Sequence, residues 1–163
     1  MISYIVSMDN SYALMSNFIG FLTPVLTQDD EVIIVSDGCD NYSTLEYIKY
    51  LSKSDLRFQL IELKEKYGFS KANNIGVKAS KYENLVFINT DIFLTCNCVS
   101  NMINMLNTSE NIAAVQPLLL YPQNGLVQST GHVFSKVKSG QLFAMRNYKE
   151  PLIHISAPRQ ALT

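Results

Sequence analysis

The chain has 163 residues, 47% of them hydrophobic and 17% charged, with a formal net charge of −1. That composition belongs to a globular domain with a real core and not to a disordered chain. The near-neutral charge excludes a general electrostatic attraction for nucleic acid or anionic lipid, so any phosphate binding must be local.

Met1-Ile2-Ser3-Tyr4-Ile5-Val6 lacks a basic start and is too short for a signal-peptide core, so Ile2–Ser7 reads as a first strand. Leu14, Phe18, Phe21 and Leu22 recur at helical spacing in Tyr12–Leu22, which Pro24 ends. The stretch from Phe18 to Leu26 is broken by Gly20, Thr23 and Pro24 and is well short of a membrane span. Val32-Ile33-Ile34-Val35 gives Glu31–Ser36 the β-branched run of a strand buried on both faces, and Asp37-Gly38 breaks it. Thr44–Leu51 is a helix with Leu45, Ile48 and Leu51 inward, and Arg57–Leu63 is a strand.

Gly68–Ser80 carries Phe69, Ala72, Ile75, Gly76 and Ala79 on one stripe; its small members let the helix sit close to a sheet. Asn84–Asn89 holds a second buried strand, Cys98–Leu106 is a further helix, and Ile112–Gln116 is a fifth strand stopped by Pro117. The alternation implies an α/β fold with a mostly parallel sheet flanked by helices. Beyond Pro117, Leu118–Tyr121, Gly125–Gln128, His132–Val137 and Gln141–Met145 are short strand-like pieces of β-hairpin character. The expected organisation is one domain over 1–163, with a βαβ nucleotide-binding part in 1–117 and a β-rich segment in 118–163.

Cys39, Cys96 and Cys98 fit neither a disulfide framework nor a zinc knuckle, which points to reduced thiols and a cytoplasmic protein, at most peripheral to a membrane. No G-x-G-x-x-G follows the first strand and no G-x-x-x-x-G-K-[ST] occurs, so the common dinucleotide and P-loop readings lack support. Ser7-Met8-Asp9-Asn10-Ser11 has no glycine or basic residue, unlike the triphosphate loop of a sugar nucleotidyltransferase.

In an open parallel sheet, ligands bind beyond the carboxyl ends of the strands. The residues there are Ser7, Asp9 and Asn10, then Asp37 and Asp40, then Lys64, Glu65, Lys66 and Tyr67, then Asn89, Thr90 and Asp91. Carboxylates and amides on one rim suit a nucleotide: base and ribose take direct hydrogen bonds, and a diphosphate meets a carboxylate through Mg²⁺ or Mn²⁺. Asp91 is placed for such a metal. Each residue also has a plainer reading. Asp91 could cap the following turn, Asp37-Gly38 is a common turn pair, and Asn74 could bond neighbouring backbone. Asp9, Asn10 and Asp40 are turn formers first. His132 and His154 read as strand residues, and Tyr67 and Tyr121 as packing residues before stacking ones.

Three segments resemble family 2 glycosyltransferases, and within them the rhamnosyltransferase-like branch. Glu31–Asp40 resembles the second strand and its acidic turn, Tyr67–Gly76 the helix of pattern G-F-x-x-A-x-N-x-G, and Leu85–Leu94 the strand ending in a D-x-D-type metal motif. Ala114–Gly131 is similar to the segment after that motif. The resemblance implies a GT-A (Rossmann-like) fold. It implies inverting, metal-assisted transfer of a hexosyl or rhamnosyl group to an acceptor hydroxyl, as in cell-surface polysaccharide biosynthesis. The donor would be UDP-, dTDP- or GDP-linked, the acceptor a saccharide or lipid-linked molecule, and nucleic acid no partner.

By position, the resemblance implies that Asp37 contacts the base, Asn74 supports the nucleotide pocket, Asn89 faces the ribose or metal, and Asp91 binds the metal. Ser7 stands where the family often has proline, Ser36 where it has the first acid of a pair, and Asn89 where it has the first acid of D-x-D. The family's general base lies in a downstream acidic pair; after Glu110 this chain has only Glu150, so the base is expected beyond Thr163. The chain then reads as the donor-binding portion of the enzyme. The alternative is a non-catalytic truncated module that binds nucleotide or self-associates through C-terminal strands bearing Leu142, Phe143, Leu152 and Ile153.

Overall fold

The buried apolar runs build one four-stranded parallel sheet with helices between its strands. Its elements are β1 (Ser3–Met8), α1 (Tyr12–Leu22), β2 (Glu31–Asp37), α2 (Tyr42–Ser54), β3 (Phe58–Leu63), α3 (Phe69–Ala79) and β4 (Leu85–Phe87). The sheet order is β3-β2-β1-β4. Ser3 lies opposite both Glu31 and Leu85, and Asp37 opposite Leu63, so the strand tips that follow share one rim. The architecture comes from a computed structural model describing residues 1–8, 10–94 and 98–129, and the backbone of 132–136 and 142–146.

Two compact units divide the chain, Met1–Cys96 and Asn97–Thr163. In the first, alternate residues of the central strands face opposite sides of the sheet. Ile5, Ile33 and Val35 cluster with Ala72 of α3, and all four are fully buried. Tyr4, Val6, Val32 and Ile34 face the other way and are equally buried. The unit's other two helices bury Met15, Phe18, Ile19 and Leu22 of α1, and Thr44 and Ile48 of α2. Each large apolar side chain so enclosed contributes about 1.5–3 kcal/mol relative to exposure.

Helix starts follow local chemistry. Ser11 caps α1 by accepting from the Leu14 N–H, and Asn41 caps α2 by accepting from the Thr44 N–H. α3 begins on Gly68, at φ +87°, and lies tightly on the sheet: a Cβ at Gly76 would come 2.6 Å from the Ile5 side chain. The small stripe of this helix serves the close approach that its sequence implied.

The amino-terminal rim of the sheet is closed by hydrogen bonds. The buried Glu31 carboxylate accepts from Ser3 Oγ at 2.6 Å and from the Lys81 N–H at 2.6 Å. Ser3 Oγ in turn accepts from the Tyr82 N–H. Asp30 accepts from the Ile2 and Thr27 N–H groups. These bonds fasten the α3–β4 connection and the chain start to the strand origins, leaving the opposite rim for ligands.

The second unit holds α4 (Cys98–Leu106), an antiparallel pair β5 (Leu119–Leu120) and β6 (Val127–Ser129), and a second antiparallel pair β7 (His132–Lys136) and β8 (Leu142–Arg146). The expected β-hairpin character is present. The expected strand over Ile112–Gln116 is not formed. The run contains Ala113 and Ala114, weak strand formers that are exposed here, and ends on Pro117, which has no N–H for a ladder. The parallel sheet therefore has four strands among the described residues. None of their helices is long and apolar enough to cross a membrane. Asp9, Cys96, Glu150, Leu152, Ile153 and His154 lie outside the described residues, as do the side chains of His132, Leu142 and Phe143.

Candidate functional site

The tips of β1, β2 and β4 open onto one cleft of about 370 Å³. Ser7 and Met8 come from the end of β1, with Asn10 just beyond. Asp37 and Gly38 come from the end of β2. Lys66, Gly68 and Phe69 come from the β3–α3 connection and the start of α3. Asn89, Thr90 and Asp91 follow β4, and Leu14 comes from α1. Of the residues proposed from sequence, Ser7, Asn10, Asp37, Asn89 and Asp91 are thus brought together. Asp9 lies outside the described residues.

Asp37 is 8% exposed and already engaged. One carboxylate oxygen accepts from the Tyr67 N–H at 2.6 Å, the other from the Gly68 N–H at 2.8 Å. It therefore fixes the approach to α3. An ionised carboxylate offers about four lone-pair sites, so the two bonds leave acceptor capacity on the cleft side. Gly38 is required for its backbone. It sits at φ +66°, and a Cβ there would lie 2.9 Å from the Lys66 backbone nitrogen.

Asn10 and Asp40 hold each other. The Asn10 side-chain amide donates to Asp40 at 2.6 Å, and the Asp40 N–H returns a bond to Asn10 Oδ1 at 3.1 Å. The loops after β1 and β2 are thereby joined beside the cleft.

Asn89 and Asp91 are exposed and occupy a turn closed by the Ile92 N–H donating to the Asn89 carbonyl. Asp91 makes no side-chain hydrogen bond or ion pair with the described residues. No group of three or more His, Cys, Asp or Glu converges among the described residues. A metal at this turn would have the Asp91 carboxylate and the Asn89 amide oxygen as protein donors. That sparse oxygen set fits a hard divalent cation whose other ligands are phosphate and water.

Asn74 is exposed and does not line the cleft, whereas its neighbour Asn73 is buried and donates from Nδ2 to the Phe69 carbonyl at 2.8 Å. Helical phase decides this: Phe69, Ala72, Asn73 and Gly76 are spaced i, i+3, i+4, i+7, and Asn74 falls a step off that face. Tyr67 is also outside the lining, its ring covered by Lys71 Nζ at 3.7 Å from the centroid. Sequence reasoning placed Lys66 at the rim without a role and did not select Leu14, Gly68 or Phe69 as site residues. The available signal was their position at a strand tip or on the inward phase of the adjoining helix.

Similarity to known proteins agrees with this geometry. An uncharacterized glycosyltransferase of Haemophilus influenzae is 23% identical over 154 residues, covering 94% of this chain and 45% of that protein. Among solved structures, the mannosyltransferase PcManGT of Pyrobaculum calidifontis, in complex with GDP-Man and Mn²⁺, superposes with a TM-score of 0.63 at 19% identity. The match covers 76% of this chain and 36% of that one. Staphylococcus aureus TarS 1-349, in complex with UDP-GlcNAc, gives a TM-score of 0.56 at 19% identity over 65% of this chain and 31% of that one. The fold is accordingly GT-A-like, and the chain spans less than half the length of these relatives. The glycosyl transferase family 2 model matches residues 15–162, nearly the whole sequence, and the chain belongs to that family.

Proposed function

We propose that this chain is the donor-binding part of a glycosyltransferase that moves a sugar from a nucleotide diphosphate to an acceptor hydroxyl. The observation that carries the proposal is that Asp37 and Asp91, from strands on either side of β1, line one cleft. Strands neighbour at about 4.8 Å, so the two tips are separated by roughly 10 Å. That span accommodates a nucleotide lying across the end of β1, its base toward β2 and its diphosphate toward β4.

In this arrangement the spare lone pairs of Asp37 accept a base N–H. Ser7 and Asn10 offer a hydroxyl and an amide near the ribose, and Asn89 offers an amide between ribose and diphosphate. Asp91 would hold Mg²⁺ or Mn²⁺, which when bound neutralises charge on the departing diphosphate. Lys66 adds a positive charge to the same cleft. The proposed reaction is an in-line, inverting displacement at the anomeric carbon, and no cleft residue is assigned as the acceptor's base. The support is the shared cleft, the family, and relatives whose structures hold GDP-Man or UDP-GlcNAc.

Calorimetric titration of UDP, dTDP and GDP, with and without Mn²⁺, tests the reading. One of these nucleotides should bind more tightly with the metal, and Asp91→Ala should remove that gain. Equal or absent binding under both conditions would overturn it.

A further inference from the structure

We propose that Phe69 is the platform on which the planar base of the nucleotide stacks, and so a determinant of what the cleft accepts. The inference rests on the donor-binding reading above and extends it to a residue with no role there. Phe69 is the one aromatic residue lining the cleft among the described residues. It is 59% exposed, so its ring is accessible to a ligand in the cleft. Leu14, also half exposed, extends the apolar part of that wall.

Its backbone is fixed from three directions. Asp37 holds the two preceding N–H groups, the Ala72 N–H donates to the Gly68 carbonyl at 3.0 Å, and Asn73 Nδ2 binds the Phe69 carbonyl. A ring presented by a pinned backbone loses little freedom on stacking. Tyr67 is engaged by Lys71, Tyr12 by Tyr47 at 5.4 Å, and Phe21 by Phe93 at 4.6 Å, and none of these rings lines the cleft. Position completes the case. Phe69 adjoins the β2 tip through Asp37, and the Asn89–Asp91 turn lies two strands away. A nucleotide whose diphosphate sits at Asp91 and whose sugar crosses β1 brings its base to Phe69. Stacking tolerates any base, because every base has a π-face.

The chain contains no tryptophan, so Phe69→Trp installs a single indole reporter. UDP, GDP and inorganic pyrophosphate are titrated into this variant, each with Mn²⁺, alongside calorimetry on the wild type, Phe69→Ala and Phe69→Tyr. UDP or GDP should change the indole emission saturably, while pyrophosphate leaves it unchanged. Phe69→Ala should weaken the nucleotide about tenfold or more and leave pyrophosphate affinity intact, and Phe69→Tyr should bind as the wild type does. Wild-type nucleotide affinity in Phe69→Ala, or an indole indifferent to saturating nucleotide, overturns the stacking role while donor binding stands. Failure of the wild type to bind any nucleotide overturns the parent reading, and this one with it.

Discussion

Asp37 has a structural role that the structure shows directly, beside the base contact proposed for it. Its carboxylate takes both N–H groups that lead into α3. Asp37→Ala should leave two part-buried donors without their carboxylate and lower stability by about 1–2 kcal/mol in urea unfolding. A loss below 0.5 kcal/mol would contradict that bonding. Its placement at a strand tip made Asp37 legible in the sequence, but its donors thirty residues on were not. They are set by the β2–β3 register, which pairs Asp37 with Leu63 just before the turn. Asn73 and Asn74 show the finer limit. The motif names Asn74, whereas the rotation of the helix turns the adjacent Asn73 inward.

At the scale of elements, the spans Tyr12–Leu22 and Cys98–Leu106 were legible because apolar spacing is a local signal, whereas α2 runs past the expected Thr44–Leu51 at both ends. The expected strand at Ile112–Gln116 failed because a short run with two alanines carries too little information against Pro117. The α2–β3 corner offers a test in pH. Asp55 accepts from the Arg57 guanidinium at 2.7 Å and from the Arg57 N–H at 3.0 Å, while Arg57 also reaches the Leu26 carbonyl. The hydrogen bonds from Arg57 hold the Asp55 carboxyl below its ordinary value. A depressed carboxyl stabilises the fold fully above its unfolded pKa, and that stabilisation is lost as pH falls through the folded one. Asp55→Asn should thus cost about 1 kcal/mol at pH 7, and the gap to wild type should narrow below about pH 4. A constant gap in urea midpoints from pH 7 to pH 2.5 would contradict the assignment.

For the molecule as a whole, alternating strand and helix patterns indicated a parallel sheet, and the ligand rim followed from strand direction. The order β3-β2-β1-β4 did not, since it depends on contacts between segments up to eighty residues apart. Ligand linkage gives the global prediction. Nucleotide at one hundred times its dissociation constant should add about 2.7 kcal/mol, which in a 163-residue chain raises Tm by about 5–10 °C. With Mn²⁺ present, differential scanning calorimetry should show that rise in the wild type and a smaller one in Asp91→Ala. The close contact at Gly76 has a mechanical corollary. Since α3 is wedged against Ile5 at its middle and tethered by Asp37 at its front, it behaves as a rigid strut. In the proposed reading, a nucleotide arriving on that side would meet a wall already formed by α3.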